Sequence, residues 1–218
     1  MMTPLVIVGA GGHGREILDI VEAINAVVST YDFLGFLDDE MVESEELARR
    51  GARVIGHSGA IVDIDAAYLI GIGDGDVRAR LDQTFMNMGR VAARAVHPAA
   101  SVGADTELAD GLVMAAGARV TTNVRAGRHL YLSTNTTVAH DCRLGQYVTI
   151  LTGANVCGNV SFEDGVTVGA GAVVIPGLRI GARAFIGAGA VVLNDIGPGV
   201  TAVGVPARPI RYRPAEPC

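Results

Sequence analysis

The sequence predicts an α/β unit at the N-terminus followed by an all-β solenoid, and three observations predict it. From Val102 to Val192 every sixth residue is apolar: Val102, Leu108, Met114, Val120, Ala126, Leu132, Val138, Leu144, Ile150, Val156, Phe162, Val168, Val174, Ile180, Ile186 and Val192. No insertion breaks the phase, and Ala126 is the one small residue among these stations. Ahead of that tract, an apolar run passes into a Gly-rich turn and then into a stretch with helical spacing. Strand-like and helix-like segments then alternate up to residue 96, the order that builds a parallel sheet.

Leu5-Val6-Ile7-Val8 reads as a short buried strand. Gly9-Ala10-Gly11-Gly12-His13-Gly14 follows. Ile17, Ile20, Val21 and Ile24 then fall at i, i+3, i+4 and i+7, one face of a helix. This order gives a G-x-G-x-x-G pattern its meaning. Glycine lets the backbone approach a phosphate, and the free N–H groups of the helix start attract the anion. Phe33 to Leu37 is a second strand, ending at Asp38-Asp39, where an acidic pair can accept hydrogen bonds from a ribose or a base edge. Glu43 to Arg50 is expected as a short helix and Arg53-Val54-Ile55 as a strand. Tyr68 to Gly73 is a strand with glycine at its tip. Asp76 is placed to cap a helix whose apolar face is Val77, Leu81, Phe85 and Met88, closed by Gly89. Val91 to Val96 is a return strand, and His97-Pro98 leads into the solenoid. The α/β unit therefore covers residues 1–95. It has room for little more than one mononucleotide half, which favours a mononucleotide or nucleotide-sugar over NAD.

A period of six is neither the 3.6 of a helix nor the 2 of a half-buried strand. It is the signature of a β-helix, in which each hexad supplies one short strand and one corner, with the station residue pointing inward. Three hexads make one coil, so the stations make about five coils, a column of roughly 24 Å at the spacing of paired strands. A small or apolar residue recurs four places after the station, as at Ala118, Val148, Ala154 and Ala172. Glycine recurs directly after it, as at Gly103, Gly145, Gly169 and Gly187, where it is expected to relieve the bend. The solenoid spans residues 96–197, and residues 198–218 read as a C-terminal tail.

The 218 residues are 50% apolar and only 18% charged, which suits a repeat column with little polar surface per residue. No apolar run is long enough to span a membrane, and no basic region precedes the first apolar stretch. Neither a membrane partner nor a signal peptide is expected, and the cytoplasm is the expected location. A net charge of −6 argues against a nucleic-acid partner. Three cysteines, Cys142, Cys157 and Cys218, lack the paired spacing of a disulfide framework, and Cys142 is expected in the core.

Val168-Gly169-Ala170-Gly171-Ala172-Val173 and Ile186-Gly187-Ala188-Gly189-Ala190-Val191 carry the [LIV]-[GA]-x-x-[STAV]-x pattern of the hexapeptide-repeat acyltransferases, which this tract resembles. The resemblance implies a left-handed parallel β-helix. Spacing alone does not supply that hand, because parallel crossovers are usually right-handed. With a Rossmann-like unit in front, almost the whole chain resembles the bacterial nucleotide-aminosugar N-acetyltransferases, whose layout the sialic acid O-acetyltransferases share. The specific pieces are Gly11-Gly12-His13-Gly14, Phe36-Leu37-Asp38-Asp39, His140-Asp141-Cys142 and Gly204-Val205-Pro206-Ala207-Arg208. The resemblance implies acetyl-CoA as co-substrate, no metal, and a nucleotide-linked aminosugar, expected to be UDP-linked. The sugar nucleotide would be held by Gly11, Gly12, His13, Asp38, Asp39 and Gly73. CoA would lie against the backbones of Gly158 and Ala170. A homotrimer with active sites between subunits is implied as well.

Acyl transfer from a thioester needs a base for the attacking amine or hydroxyl, and imidazole is suited to it because it titrates near neutrality. Of five histidines, His140 stands two places after station Val138, on the outward side near a corner, with Asp141 beside it. A carboxylate at an imidazole fixes its tautomer and raises its basicity. The resemblance implies that His140 is the general base and Asp141 its support. His129 also points outward but adjoins no acid and reads as surface. The similar enzymes can carry a second histidine nine places after the base, near the thioester oxygen; here that place is Thr149, whose hydroxyl can still donate a hydrogen bond. Among the arginines of the last fifty residues, Arg208 is the candidate for the CoA phosphates, because guanidinium matches phosphate geometry. Transfer through an acetyl-Cys157 ranks lower, since no base is aimed at that thiol. O-acetylation of sialic acid or of another sugar hydroxyl fits the same residues and stands as the alternative; sugar-nucleotide binding without turnover is a reading of another class, against which His140-Asp141 speaks. An NAD-dependent oxidoreductase is disfavoured by the short first unit.

Overall fold

The computed structural model describes residues 1–40 and 45–212. The chain divides into two compact units, Met1–His97 and Pro98–Cys218.

In the first unit β1 (Thr3–Val8), β2 (Tyr31–Leu37), β3 (Val54–Gly56) and β4 (Ala67–Ile70) form one parallel sheet in the order β3-β2-β1-β4. The helix α1 (Gly12–Val27) connects β1 to β2, and α2 (Glu45–Ala48) and a 3-10 turn at Ser58–Asp63 precede β4. The helix α3 (Gly75–Asn87) follows β4. Leu5, Val6 and Ile7 have no exposed surface, which is why β1 reads as an unbroken apolar run rather than an alternation. Chain order reverses between β1 and β4, the point at which an open α/β sheet binds ligands at the carboxyl ends of its strands. Three segments leave that edge: Gly9–Gly11, running into the start of α1, after β1, Asp38-Asp39 after β2 and Gly71–Asp74 after β4.

Several expectations shift. The start of the helix expected at Glu43 lies outside the described residues. The strand expected to reach Gly73 stops at Ile70, because Gly71 passes so close to α1 that a Cβ on it would lie 2.5 Å from the Gly14 Cα. The cap of α3 is Asp74, not Asp76: its carboxylate accepts from the Asp76 and Val77 N–H groups. The buried side of α3 is Arg78, Asp82 and Phe85, so the helix is rotated away from the apolar face read from Val77 and Met88. Asp82 accepts from the Tyr68 hydroxyl at 2.5 Å, which allows an acid to be buried there. The return strand is only Ala95–Val96, with one bridge between Tyr68 and Ala92.

The second unit is a left-handed parallel β-helix. Two-residue strands stack in three parallel sheets, each strand pairing with the one eighteen positions on: Arg125 with Arg143, Tyr131 with Thr149, Thr137 with Asn155. Every station except the first is buried, from Leu108 to Val192; Val102, at the open end, is 43% exposed. The corners turn differently from expectation. The glycines directly after the stations have ordinary backbone; the left-handed residue comes three places after the station, at Asp105, Gly111, Gly117, Asn123 and onward without a miss to Gly189. Gly, Asn and Asp dominate there because they tolerate positive φ. The supposed tail carries strands Val200–Val203 and Arg208–Tyr212, which pair antiparallel and extend one of the sheets.

Candidate functional site

Two groups of predicted residues are assembled, one in each unit. In the first, the β1–α1 turn is held by close backbone approach. A Cβ on Gly14 would lie 1.9 Å from the Gly9 carbonyl oxygen, so only glycine fits. Gly11, Gly12 and Gly73 are different: a Cβ on any of them would meet nothing within 4 Å, so these three face open space. Asp38 braces the turn, accepting from the Ala10 N–H at 2.7 Å and from the Glu40 N–H at 3.0 Å. Asp39 is exposed and accepts from the Ser58 N–H at 2.8 Å, which lowers its pKa below the usual carboxylate value. His13, in the first turn of α1, has its pKa lowered to about 4, chiefly by burial and further by the Arg78 guanidinium. It is therefore neutral at pH 7. Arg78, which the sequence reading missed, is buried and donates to the carbonyls of Ile72 and Gly73 at 3.0 and 2.9 Å. It fixes the loop after β4. The signal for it was the Arg78–Asp82 spacing beside an apolar face, four residues apart on one side of a helix.

The second group stands on a corner of the β-helix. Val138 points into the core, the chain turns outward through His140 and Asp141, and Cys142 returns to the core. Asp141 takes the left-handed corner position at φ 64°. His140 Nδ1 lies 2.7 Å from Asp141 Oδ2. From the preceding coil, Asn123 Nδ2 donates to Asp141 Oδ1 at 2.5 Å. The bond to His140 first, and that from Asn123 second, lower the Asp141 pKa. An ionised carboxylate only accepts, so Nδ1 carries the proton and Nε2 is the nitrogen left to take another. On the next coil sits Gly158. A Cβ there would lie 2.5 Å from His140 Cε1 and 2.7 Å from Nε2, so the ring rests over a bare backbone. The imidazole side chain is nevertheless 61% exposed.

The remaining candidates are more scattered. Ala170 is exposed at a small corner. Thr149 is buried, in a sheet between Tyr131 and Thr167, on a different face from the strand that precedes His140. Arg208 is exposed, and its guanidinium donates to the Ala207 carbonyl at 3.2 Å. Cys157 is half-buried, and its carbonyl accepts from the Cys142 thiol at 3.2 Å; burial pushes the Cys142 thiol up. His129 is not a surface residue. It is buried, stacks on Tyr147 with ring centroids 5.8 Å apart, and covers Gly111. Asn123 was also missed. Its signal was the coil length itself: stepping eighteen back from Asp141 reaches Asn123, and stepping eighteen on from His140 reaches Gly158. Among the described residues no group of His, Cys, Asp and Glu is placed to hold a metal, and no helix is long and apolar enough to cross a membrane.

Comparison with known proteins agrees with both units. Residues 4–85 match the PglD N-terminal domain, and residues 159–194 match the bacterial transferase hexapeptide model of six repeats. PerB from Caulobacter crescentus, solved with CoA and GDP-perosamine, is 29% identical with a TM-score of 0.87, over 97% of this chain and 99% of that one. The acetyltransferase domain of PglB from Neisseria gonorrhoeae, solved with acetyl coenzyme A, is 28% identical with a TM-score of 0.86, over 96% and 100%. WeeI from Acinetobacter baumannii is 29% identical with a TM-score of 0.84, over 96% and 100%. Comparison with curated proteins gives no match. The resemblance carried by the motifs is thus met along the length of the chain.

Proposed function

We propose that this chain, built on the plan of the hexapeptide-repeat sugar N-acetyltransferases, moves an acetyl group from acetyl-CoA to the amino group of a nucleotide-linked aminosugar, with His140 as general base. The observation that carries the reading is the His140–Asp141 pair: a 2.7 Å contact at Nδ1, a carboxylate kept ionised, and an exposed ring seated over Gly158. The amine attacks the thioester carbonyl, so a C–N bond forms as the C–S bond breaks. Nε2 takes the amine proton and returns it to the departing CoA thiolate. Asp141 stabilises the imidazolium between those two events. The oxyanion is stabilised by N–H donors along the β-helix.

The nucleotide is bound by the β1–α1 turn, where Gly11 and Gly12 leave room for a phosphate at the helix start and His13 stays neutral beside it. Asp39 and the Gly73 loop complete that surface. Gly158 and Ala170 lie along the CoA pantetheine, and Arg208 meets its phosphates. Thr149 contributes no open hydroxyl within a single chain, so the oxyanion donor is assigned to backbone. The reading from sequence favours UDP, whereas the Caulobacter relative carries GDP. Assembly as a homotrimer is part of the proposal.

Thiol release from acetyl-CoA, measured against UDP- and GDP-aminosugars and free sialic acid, tests it. An aminosugar nucleotide is expected to be the substrate. His140→Ala is expected to lower kcat by about 10²–10⁴-fold, the range of a lost general base, with an unchanged melting temperature. An undiminished rate in that variant removes His140 as base, and release with sialic acid alone replaces the amine by a hydroxyl.

A further inference from the structure

Asn123 occupies the left-handed corner position one coil before Asp141, at φ 54°. Any residue tolerant of that backbone could serve a corner, and Gly or Asp does so elsewhere. Here the side chain is engaged at both ends. Its Oδ1 accepts from the Arg143 guanidinium at 3.4 Å, and the same guanidinium donates to the Asn123 carbonyl at 2.8 Å. That sets the amide's direction, so its Nδ2 faces Asp141 Oδ1. Asp141 is left with Oδ2 for His140. Arg143, Asn123, Asp141 and His140 thus form one line of hydrogen bonds running across two coils, in which each group fixes the orientation of the next.

We propose that Asn123 is a positioning residue for the transfer reaction: its amide locks the Asp141 carboxylate so that Oδ2 holds the His140 Nδ1–H and Nε2 remains the base. The inference rests on the reading of His140 given above. Without the amide, the half-exposed Asp141 carboxylate keeps its bond to His140 on Oδ2 but loses the one that fixes Oδ1. The imidazole then samples both tautomers, and only one presents a basic Nε2. The ionised and charged groups facing Asp141 are His140 and Arg143.

Two variants separate this role from that of a mere corner. Asn123→Gly suits positive φ and removes the amide. Asn123→Asp keeps the shape but sets an acceptor against the Asp141 carboxylate. In both, kcat is expected to fall about tenfold, the size of one lost hydrogen bond to a charged group, while KM for acetyl-CoA and the melting temperature hold. In an Asp141→Asn background, Asn123→Gly should add nothing, because the two act as a unit. Nitrogen NMR of His140 is the second readout, and it does not depend on turnover. Wild type should show the Nδ1–H tautomer and Asn123→Gly a mixture. An unchanged kcat together with an unchanged tautomer overturns the proposal and leaves the acetyltransferase reading standing. A tautomer that shifts in a protein without acetyl transfer leaves the clamp standing and removes the reading of function.

Discussion

His13 ties the nucleotide turn to the stability of the first unit. Burial and Arg78 hold its pKa at about 4 in the folded chain, against 6.5 when exposed. Between those values the unfolded chain binds a proton that the folded chain refuses. The contribution to stability is therefore complete above pH 6.5 and is lost as pH falls toward 4, with an upper bound of about 3 kcal/mol. Urea midpoints at pH 7 and pH 4.5 should differ more in wild type than in His13→Asn, which cannot take up the proton; equal differences would refute the assignment. Gly158 is the second residue with a sharp consequence. Gly158→Ala places a methyl group against the His140 ring and should lower kcat about tenfold through a misplaced base, with a small effect on stability. Retained activity would show that the ring does not rest there during turnover. His140 and Asp141 were legible in the sequence because a histidine and an acid stood together on an outward corner. Asn123 and Arg78 were not: Asn123 acts on a group one coil away, and Arg78 is a charged residue that is buried only because carbonyls take up its guanidinium.

Within the β1–α1 element, the glycines of one motif divide into two kinds. Gly14→Ala puts a Cβ against the Gly9 carbonyl and should destabilise the first unit by about 3 kcal/mol, the upper part of the range for overpacking. Gly12→Ala meets open space and should leave the melting temperature unchanged while weakening binding of UDP or GDP, measured by calorimetry. If both variants melt alike, the steric reading of the turn fails. The sequence pattern marked both glycines equally, and only the crossing of β1, α1 and β4 tells them apart. The same limit explains α3. Counting apolar residues found the helix but rotated its buried side, because Arg78 and Asp82 are polar yet buried once their partners are in place. It explains the corners too: glycine directly after a station suggested where the chain bends, whereas positive φ falls two places later, mostly on Gly, Asn and Asp, with His129, Tyr147 and Arg183 taking the remaining corners.

At the scale of the whole molecule, the proposed trimer predicts sedimentation at the mass of three chains, and a specific activity that falls when dilution separates them. A fully active single chain would end that part of the proposal. The stack of hexads was legible in full because its cause is local and repeated: an inward side chain every six residues cannot be buried by a helix or a flat strand, and only a coil of three short strands takes all of them into one core. The strand, turn and helix of the first unit were legible for a similar reason, since spacing and glycine act over a few residues. Tertiary structure alone decided which groups meet across coils and loops. Asn123 reaches Asp141, and Gly158 underlies His140, because stacking brings positions eighteen apart into contact; Arg78 is buried because its guanidinium turns back from the first turn of α3 onto the Ile72 and Gly73 carbonyls. The coil length says which positions stack, but whether two stacked side chains also bond depends on their rotamers and neighbours, and that leaves no periodic mark in the chain.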